Sequence, residues 1–281
     1  SLAEERILRD ACRYARCDVR LEGKALGGGK DRDLSGAGGL HADVTGPDLR
    51  GHVVLRPGVV RAATVRLVSN GVLVAEHEEI ELPPGFACVV DSSRLQKDVS
   101  LQDVVRDEAH REALDAVDIA CDRVLGLLCD RWGDEWEGGV RAWARGLLLA
   151  AVRSHAGAFR EHAQKGAALQ GLPGKLVGVP LFAAAHGEVI PLSRVIEESL
   201  RYGECEFTRE PCATRFEDGR AVLLLGDGDL DSFFHRVLGV KLNDATRWLR
   251  HLEQVAEARA RFRKRAASPQ LIVATQGFRC K

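Results

Sequence analysis

The feature that most restricts this chain is a change in the period of its apolar residues. Over residues 53–90 they come in short runs broken by turn residues, and over residues 104–131 they recur three or four apart. The first pattern predicts strands and the second a long amphipathic helix, so neither an all-α nor an all-β fold is expected. Within the first stretch, runs at 65–68 and 72–74 bracket Ser69-Asn70-Gly71. Asn-Gly accepts positive φ at both central positions of a tight turn, which predicts a hairpin. Pro83-Pro84-Gly85 ends the next run, residues 86–90 read as a buried strand, and Asp91-Ser92-Ser93 supplies a turn. Ser100 is then placed to cap a helix opening at Leu101.

The same reading covers the rest of the chain. Residues 2–16 read as a helix with Ile7, Leu8, Ala11, Cys12 and Ala15 on one side, followed by a short strand at 18–22 that turns at Gly23. Glycine-rich, mixed-charge sequence then has little to bury, and residues 27–50 read as a flexible linker. Val105, Ala109, Leu114, Val117, Cys121, Val124, Leu125 and Leu128 form the stripe of the long helix, and a second helix is expected over 140–168, with Trp132 and Trp136 anchoring the corner between them. Beyond Leu172-Pro173-Gly174 the order changes to strand 179–182, helix 191–200, strands near 203–207 and 221–225, and helix 230–238, which fits a smaller α/β unit. A helix at 243–265 and an apolar strand at 271–274 close the chain.

Composition removes several function classes. Forty Lys and Arg against 41 Asp and Glu leave a formal net charge of -1, so no global charge favours a polyanion and nucleic acid is a disfavoured partner. The longest greasy stretch, 140–152, carries Arg141 and Arg145, which argues for a buried helix and against a membrane span. Eight cysteines with no CxxC pair read as reduced thiols of a cytoplasmic protein. A Ser-Leu start and the absence of methionine lead to the expectation of a piece of a longer protein.

Chemical motifs are sparse. Gly29-Lys30 is followed by Asp31 and Gly174-Lys175 by Leu176, where a phosphate loop needs a hydroxyl. Asp227, Asp229 and Asp231 resemble the start of a calcium loop, but Ser232 stands at the glycine position and Leu238 at the closing glutamate, so helix capping is the simpler role. Cys12 with Cys17 and Cys205 with Cys212 lack the partner pairs a zinc site requires, and no metal is expected. His235 lies one helical turn from Asp231, with no nucleophile in view. The one charge anomaly is Arg259, Arg261, Arg263, Lys264 and Arg265, a candidate polyanion contact for which a solvated helix end is the simpler explanation.

Residues 65–102 resemble the start of the middle domain of Hsp90-type chaperones, within the GHKL ATPase class. The matching residues are Glu79, Ile80, Glu81, Leu82, Pro83, Pro84 and Gly85, then Val89, Val90, Asp91 and Ser92, then Leu95 to Gln102. Residues 2–26 are similar to the last helix and strand of that family's ATPase domain, and residues 179–200 and 221–242 follow the order of its second α/β portion. The resemblance implies an α/β (α+β) fold with two α/β subdomains of Hsp90-middle-domain type joined by long helices. It divides the chain into an ATPase-domain remnant at 1–26, a linker at 27–50, a first subdomain at 51–170, a second at 171–252 and a basic helix and tail at 253–281.

The resemblance also implies a coupling role. No catalytic residue and no cofactor is expected in this chain itself, because the nucleotide-binding motifs of the ATPase domain have no counterpart here. ATP and magnesium would be bound by the longer protein, whose implied partners are the upstream ATPase domain, a protein client and a second copy in a homodimer. The family arginine that reaches the terminal phosphate aligns with Leu101, which cannot donate a hydrogen bond. Lys97 and Arg94 are the nearest cations that would face phosphate in its place. Three outcomes are therefore weighed: a nucleotide-driven coupling region, an ATPase-independent interaction module, and, less favoured, nucleic-acid binding through 259–265.

Overall fold

The computed structural model describes residues 2–15, 18–27, 39–79, 82–99, 103–133, 138–213, 216, 219–226 and 233–266. The chain is a mixed α/β protein that divides into two compact units, one of Ser1–Ser154 with Gln170–Leu176 and one of His155–Leu169 with Val177–Lys281.

The first unit opens with α1 (Leu2–Ala11) and the strands β1 (Val19–Leu21) and β2 (Lys24–Gly27), which pair antiparallel. Its main sheet contains β3 (Leu40–Thr45), β4 (Leu49–Leu55), β5 (Ala63–Ser69), β6 (Val72–Glu79) and β7 (Phe86–Ser92), in the order β3-β4-β7-β5-β6. Four of these strands form hairpins, β3 with β4 and β5 with β6, and β7 inserts between them, antiparallel to β4 and parallel to β5. The Asn-Gly turn is present as expected, with φ of 53° at Asn70 and 82° at Gly71. One face of the sheet is covered by α2 (Glu108–Asp130), which meets β3, β4 and β7 through a stripe of Ala113, Val117, Ala120, Val124 and Leu128. Each large aliphatic side chain buried there contributes roughly 1.5–3 kcal/mol. The helices α3 (Gly138–Ser154) and α5 (Gly171–Leu176) complete this unit.

The second unit begins with α4 (Ala156–Lys165) and holds the antiparallel pair β8 (Pro180–Ala183) and β9 (Val189–Pro191), then α6 (Leu192–Tyr202). Its sheet has β10 (Cys205–Thr208) at the centre, parallel to both β11 (Val222–Leu224) and β12 (Leu242–Asp244). All four residues of β10 are buried, as a strand covered on both faces must be. Phe182 packs against Phe233 and Phe234 of a π-helical turn, Phe233–Val237, at centroid distances of 6.5 and 5.1 Å. The last helix is α7 (Thr246–Ala266).

Several expectations are corrected. Within the linker assigned to 27–50, Leu40–Thr45 and the start of Leu49–Leu55 are sheet strands, because Leu40 and Val44 are buried against α2. Residues 2–15 and 18–26 lie in the first unit, where Tyr14 is buried in one cluster with Val68 and Val89. The chain passes between the units at 154/155, 169/170 and 176/177, and the long helices α2 and α3 lie inside the first unit. The helix expected at Leu101 starts at Glu108, where Asp107 is the cap: its Oδ1 accepts from His110 N at 3.0 Å. The helix expected over 140–168 is interrupted at His155 and ends at Gly166, which has a left-handed φ of 66°. Trp136, the acids 227, 229 and 231, Ser232 and the strand at 271–274 lie outside the described residues.

Candidate functional site

The loop after β7 is built from Ser92 onward. Ser92 is 3% exposed, and its Oγ accepts from Arg94 N at 3.2 Å, which turns the chain as it leaves the sheet. Leu95 and Val104 are both buried, anchoring the two arms of the loop in the core. Between them the backbone closes on itself: Lys97 bridges Val104, Asp98 N donates to Asp103 O at 2.8 Å, and Val105 N donates to Gln96 O at 2.9 Å. Asp103 Oδ1 accepts from Val104 N at 2.7 Å and lies 3.1 Å from His77 Nε2, linking the loop to β6. Val99 stands fully exposed beyond this closure.

The two cations named from sequence are on this loop. Arg94 Nη1 donates to Glu112 Oε2 at 2.6 Å, with both side chains nearly half exposed, so the guanidinium is already paired with a carboxylate of α2. Lys97 is exposed on the arm facing Val104. Leu101 lies outside the described residues. The loop therefore places Arg94 and Lys97 on the surface, with the Arg94 charge matched by Glu112.

Two concave regions occur elsewhere on the first unit. One, of about 240 Å³, is bounded by Tyr14, Arg50, His52, Val89 and Asp91. The other, of about 620 Å³, is an apolar groove between Ile119, Leu127 and Leu172, crossed by Lys175. Lys175 Nζ donates to Asp130 Oδ2 at 2.5 Å and to Gly126 O at 3.4 Å. Among the described residues, neither region is lined by Arg94 or Lys97.

The basic segment lies on α7. Arg259, Arg261, Arg263 and Lys264 are all exposed, and Arg265 continues the helix. Arg261 Nη2 reaches Glu257 Oε2 at 3.4 Å, a fully solvated pair of small energetic value.

Among the described residues, Cys88, Cys121, Cys129, Cys205 and Cys212 are buried. Cys205 is buried, its Sγ donates to Val195 O at 3.1 Å, and burial beside Glu198 pushes its pKa up to about 12. Cys129 is pushed up to about 12 by burial and then by Asp130. Contact with Cys88 and burial raise Cys121 as well. Protonated, buried thiols are poor nucleophiles and metal ligands, and no group of three or more His, Cys, Asp or Glu suited to a metal is present among the described residues. No helix among them is long and apolar enough to cross a membrane.

Sequence reasoning missed one polar cluster in the second unit. Glu206, 7% exposed in the centre of the parallel sheet, accepts from Asn243 Nδ2 at 3.1 and 3.3 Å and lies 3.5 Å from Arg220 Nη1. Arg220 stacks on the Tyr202 and Phe216 rings at 4.9 and 4.8 Å, and Phe216 stacks on Trp248. This buried charge is paired and hydrogen-bonded, which is the condition for tolerating it. No local pattern announces it, because its partners are 14 and 37 positions away.

Comparison of the chain with protein-family models and with curated proteins returns no match.

Proposed function

We propose that this chain is the coupling region of an Hsp90-like, ATP-dependent chaperone, which transmits closure of an upstream nucleotide-binding domain and presents surface to a protein partner. The observation that carries this reading is the loop after β7: Leu95 and Val104 pin it, and Arg94 and Lys97 stand on it as surface cations. Cations held rigidly at a surface suit phosphate presented by another domain, since preorganised charge acts without reorganisation. The order Pro83-Pro84-Gly85, Val89-Val90-Asp91-Ser92 and then the loop supports the same resemblance. ATP and magnesium belong to the upstream domain in this reading, and this chain contributes position and charge. The test is limited proteolysis at 27–39 in the polypeptide that carries that domain. Coupling requires ATP-dependent protection there, and identical cleavage with and without ATP overturns it.

A second reading, an ATPase-independent interaction module, is favoured by the Arg94–Glu112 pair, which already occupies the guanidinium, and by leucine at position 101. Leu101→Arg in the same polypeptide separates the two. A rise in ATP hydrolysis of about 10²–10³-fold, the scale of one transition-state donor, supports coupling. Unchanged hydrolysis with retained partner binding supports the interaction module.

A further inference from the structure

Only the first half of α7 is held by the second unit. Leu249, 1% exposed, enters a core cluster with Ala185, Cys212, Val222 and Ala245. Arg250 Nε donates to Glu210 Oε2 at 2.9 Å, and Glu253 Oε1 accepts from Ala213 N at 2.9 Å. Past Val255 this changes: every side chain from Ala256 to Lys264 is exposed, Phe262 to 72%. The segment 256–266 is about 16 Å of helix with no apolar side chain buried in its described part.

Its charges are arranged symmetrically about Phe262. At 3.6 residues per turn, Arg259 and Arg263 fall about 60° and 100° to one side, and Arg265 and Arg261 about 60° and 100° to the other. Lys264 points nearly opposite the ring. Arg259 with Arg263, and Arg261 with Arg265, are like-charged pairs at i,i+4, which weaken a helix standing alone. Among the described residues, the solvated contact of Glu257 to Arg261 offsets this in part. A partner with negative charge on two facing walls would relieve both pairs at once.

We propose that the distal half of α7 docks in the major groove of duplex DNA, with Phe262 toward the base edges and the flanking arginines on the two phosphate walls. An α-helix with its side chains is about 10–12 Å across and the B-form major groove about 12 Å wide, whereas the A-form groove is too narrow. A membrane surface fits less well, because the apolar wedge holds Val255, Ala258, Phe262 and Ala266 and is bounded closely by arginines, where an interfacial helix needs a broader apolar face. Self-association is opposed by the arginines on both flanks. With a whole-chain net charge of -1, this binding is local, weak and salt-sensitive.

The test is fluorescence anisotropy of the whole chain with a labelled duplex of about 20 base pairs across roughly 20–200 mM NaCl. Binding is expected at low salt, with log K falling against log salt at a slope of about 4, as expected for four to five neutralised phosphates. Replacing Arg259, Arg261, Arg263, Lys264 and Arg265 by glutamine, which keeps helix propensity, is expected to weaken binding at least about tenfold and to reduce the slope below about 1. Circular dichroism of this variant should be unchanged. Phe262→Ala should weaken binding and leave the slope unaltered. The proposal is overturned by absence of binding at 20 mM salt, by undiminished binding of the glutamine variant, or by equal affinity for duplex RNA. Equal binding to phosphatidylserine vesicles, or displacement of DNA by polyglutamate at matched charge, also overturns it.

Discussion

Arg94 Nη1 and Glu112 Oε2 meet at 2.6 Å, joining the loop after β7 to α2 across 18 residues of sequence. Both groups are solvated, so the pair orients more than it stabilises. Arg94→Ala and Glu112→Ala are each expected to cost about 0.2–1 kcal/mol in urea unfolding. A double-mutant cycle should return a coupling within that range. A larger coupling would mean that the loop and helix share more than this contact.

Gly51 lies opposite Val90 in the pairing of β4 with β7, and a Cβ there would fall 1.9 Å from Val89 O. Neither strand can retreat, because both are interior to the sheet. Gly51→Ala is expected to destabilise by at least about 2–3 kcal/mol through backbone displacement. The urea midpoint measures this, and a variant with wild-type stability would contradict the register.

Asp107 caps α2 through His110 N. Asp107→Ala should lose about 1 kcal/mol, while Asp107→Asn retains most of the stability because the amide oxygen still accepts. Equal losses in the two variants would show that charge, not capping, was responsible.

Phe182 is 1% exposed and touches both Phe233 and Phe234. Phe182→Ala is expected to cost about 3–5 kcal/mol, the range for emptying a buried aromatic site. Phe182→Leu should recover part of the loss in the same thermal or urea assay.

Alkaline pH should destabilise the fold. Burial holds the Cys129 and Cys205 thiols protonated up to about 12, whereas an unfolded thiol ionises near about 8.5. Their folded-state pKa values are raised, so their contribution is complete below about 8.5 and is lost as pH rises through the interval to about 12. The urea midpoint should fall between pH 7 and pH 9.5, and less so in a Cys129→Ala, Cys205→Ala variant. Identical pH dependence in the two proteins would remove the thiols as the cause.

Elements encoded by neighbouring residues were readable in the chain itself. The Asn70-Gly71 turn needs only its own backbone preference, and α2 and α6 declare themselves through apolar spacing within a few turns. Leu40, Ala42 and Val44 also alternate with His41, Asp43 and Thr45, but the adjoining glycine-rich stretch obscures this strand signal. Ser100 and Asp107 are both acceptable caps by composition, and only the buried anchors Leu95 and Val104 decide that the loop runs on to Asp107 and the helix starts at Glu108.

The sequence by itself determined the mixed α/β class, the central hairpin, the main helical stripe and the presence of five clustered cations. Tertiary structure alone decided that β7 inserts between two hairpins, that Arg94 is matched with Glu112, that Glu206 is held by Asn243 and Arg220, and that the basic half of α7 stands clear of its unit. The physical reason is range. Turn and helix preferences act over a few residues, whereas pairing, burial and exposure depend on groups brought together only when the whole chain has closed its cores.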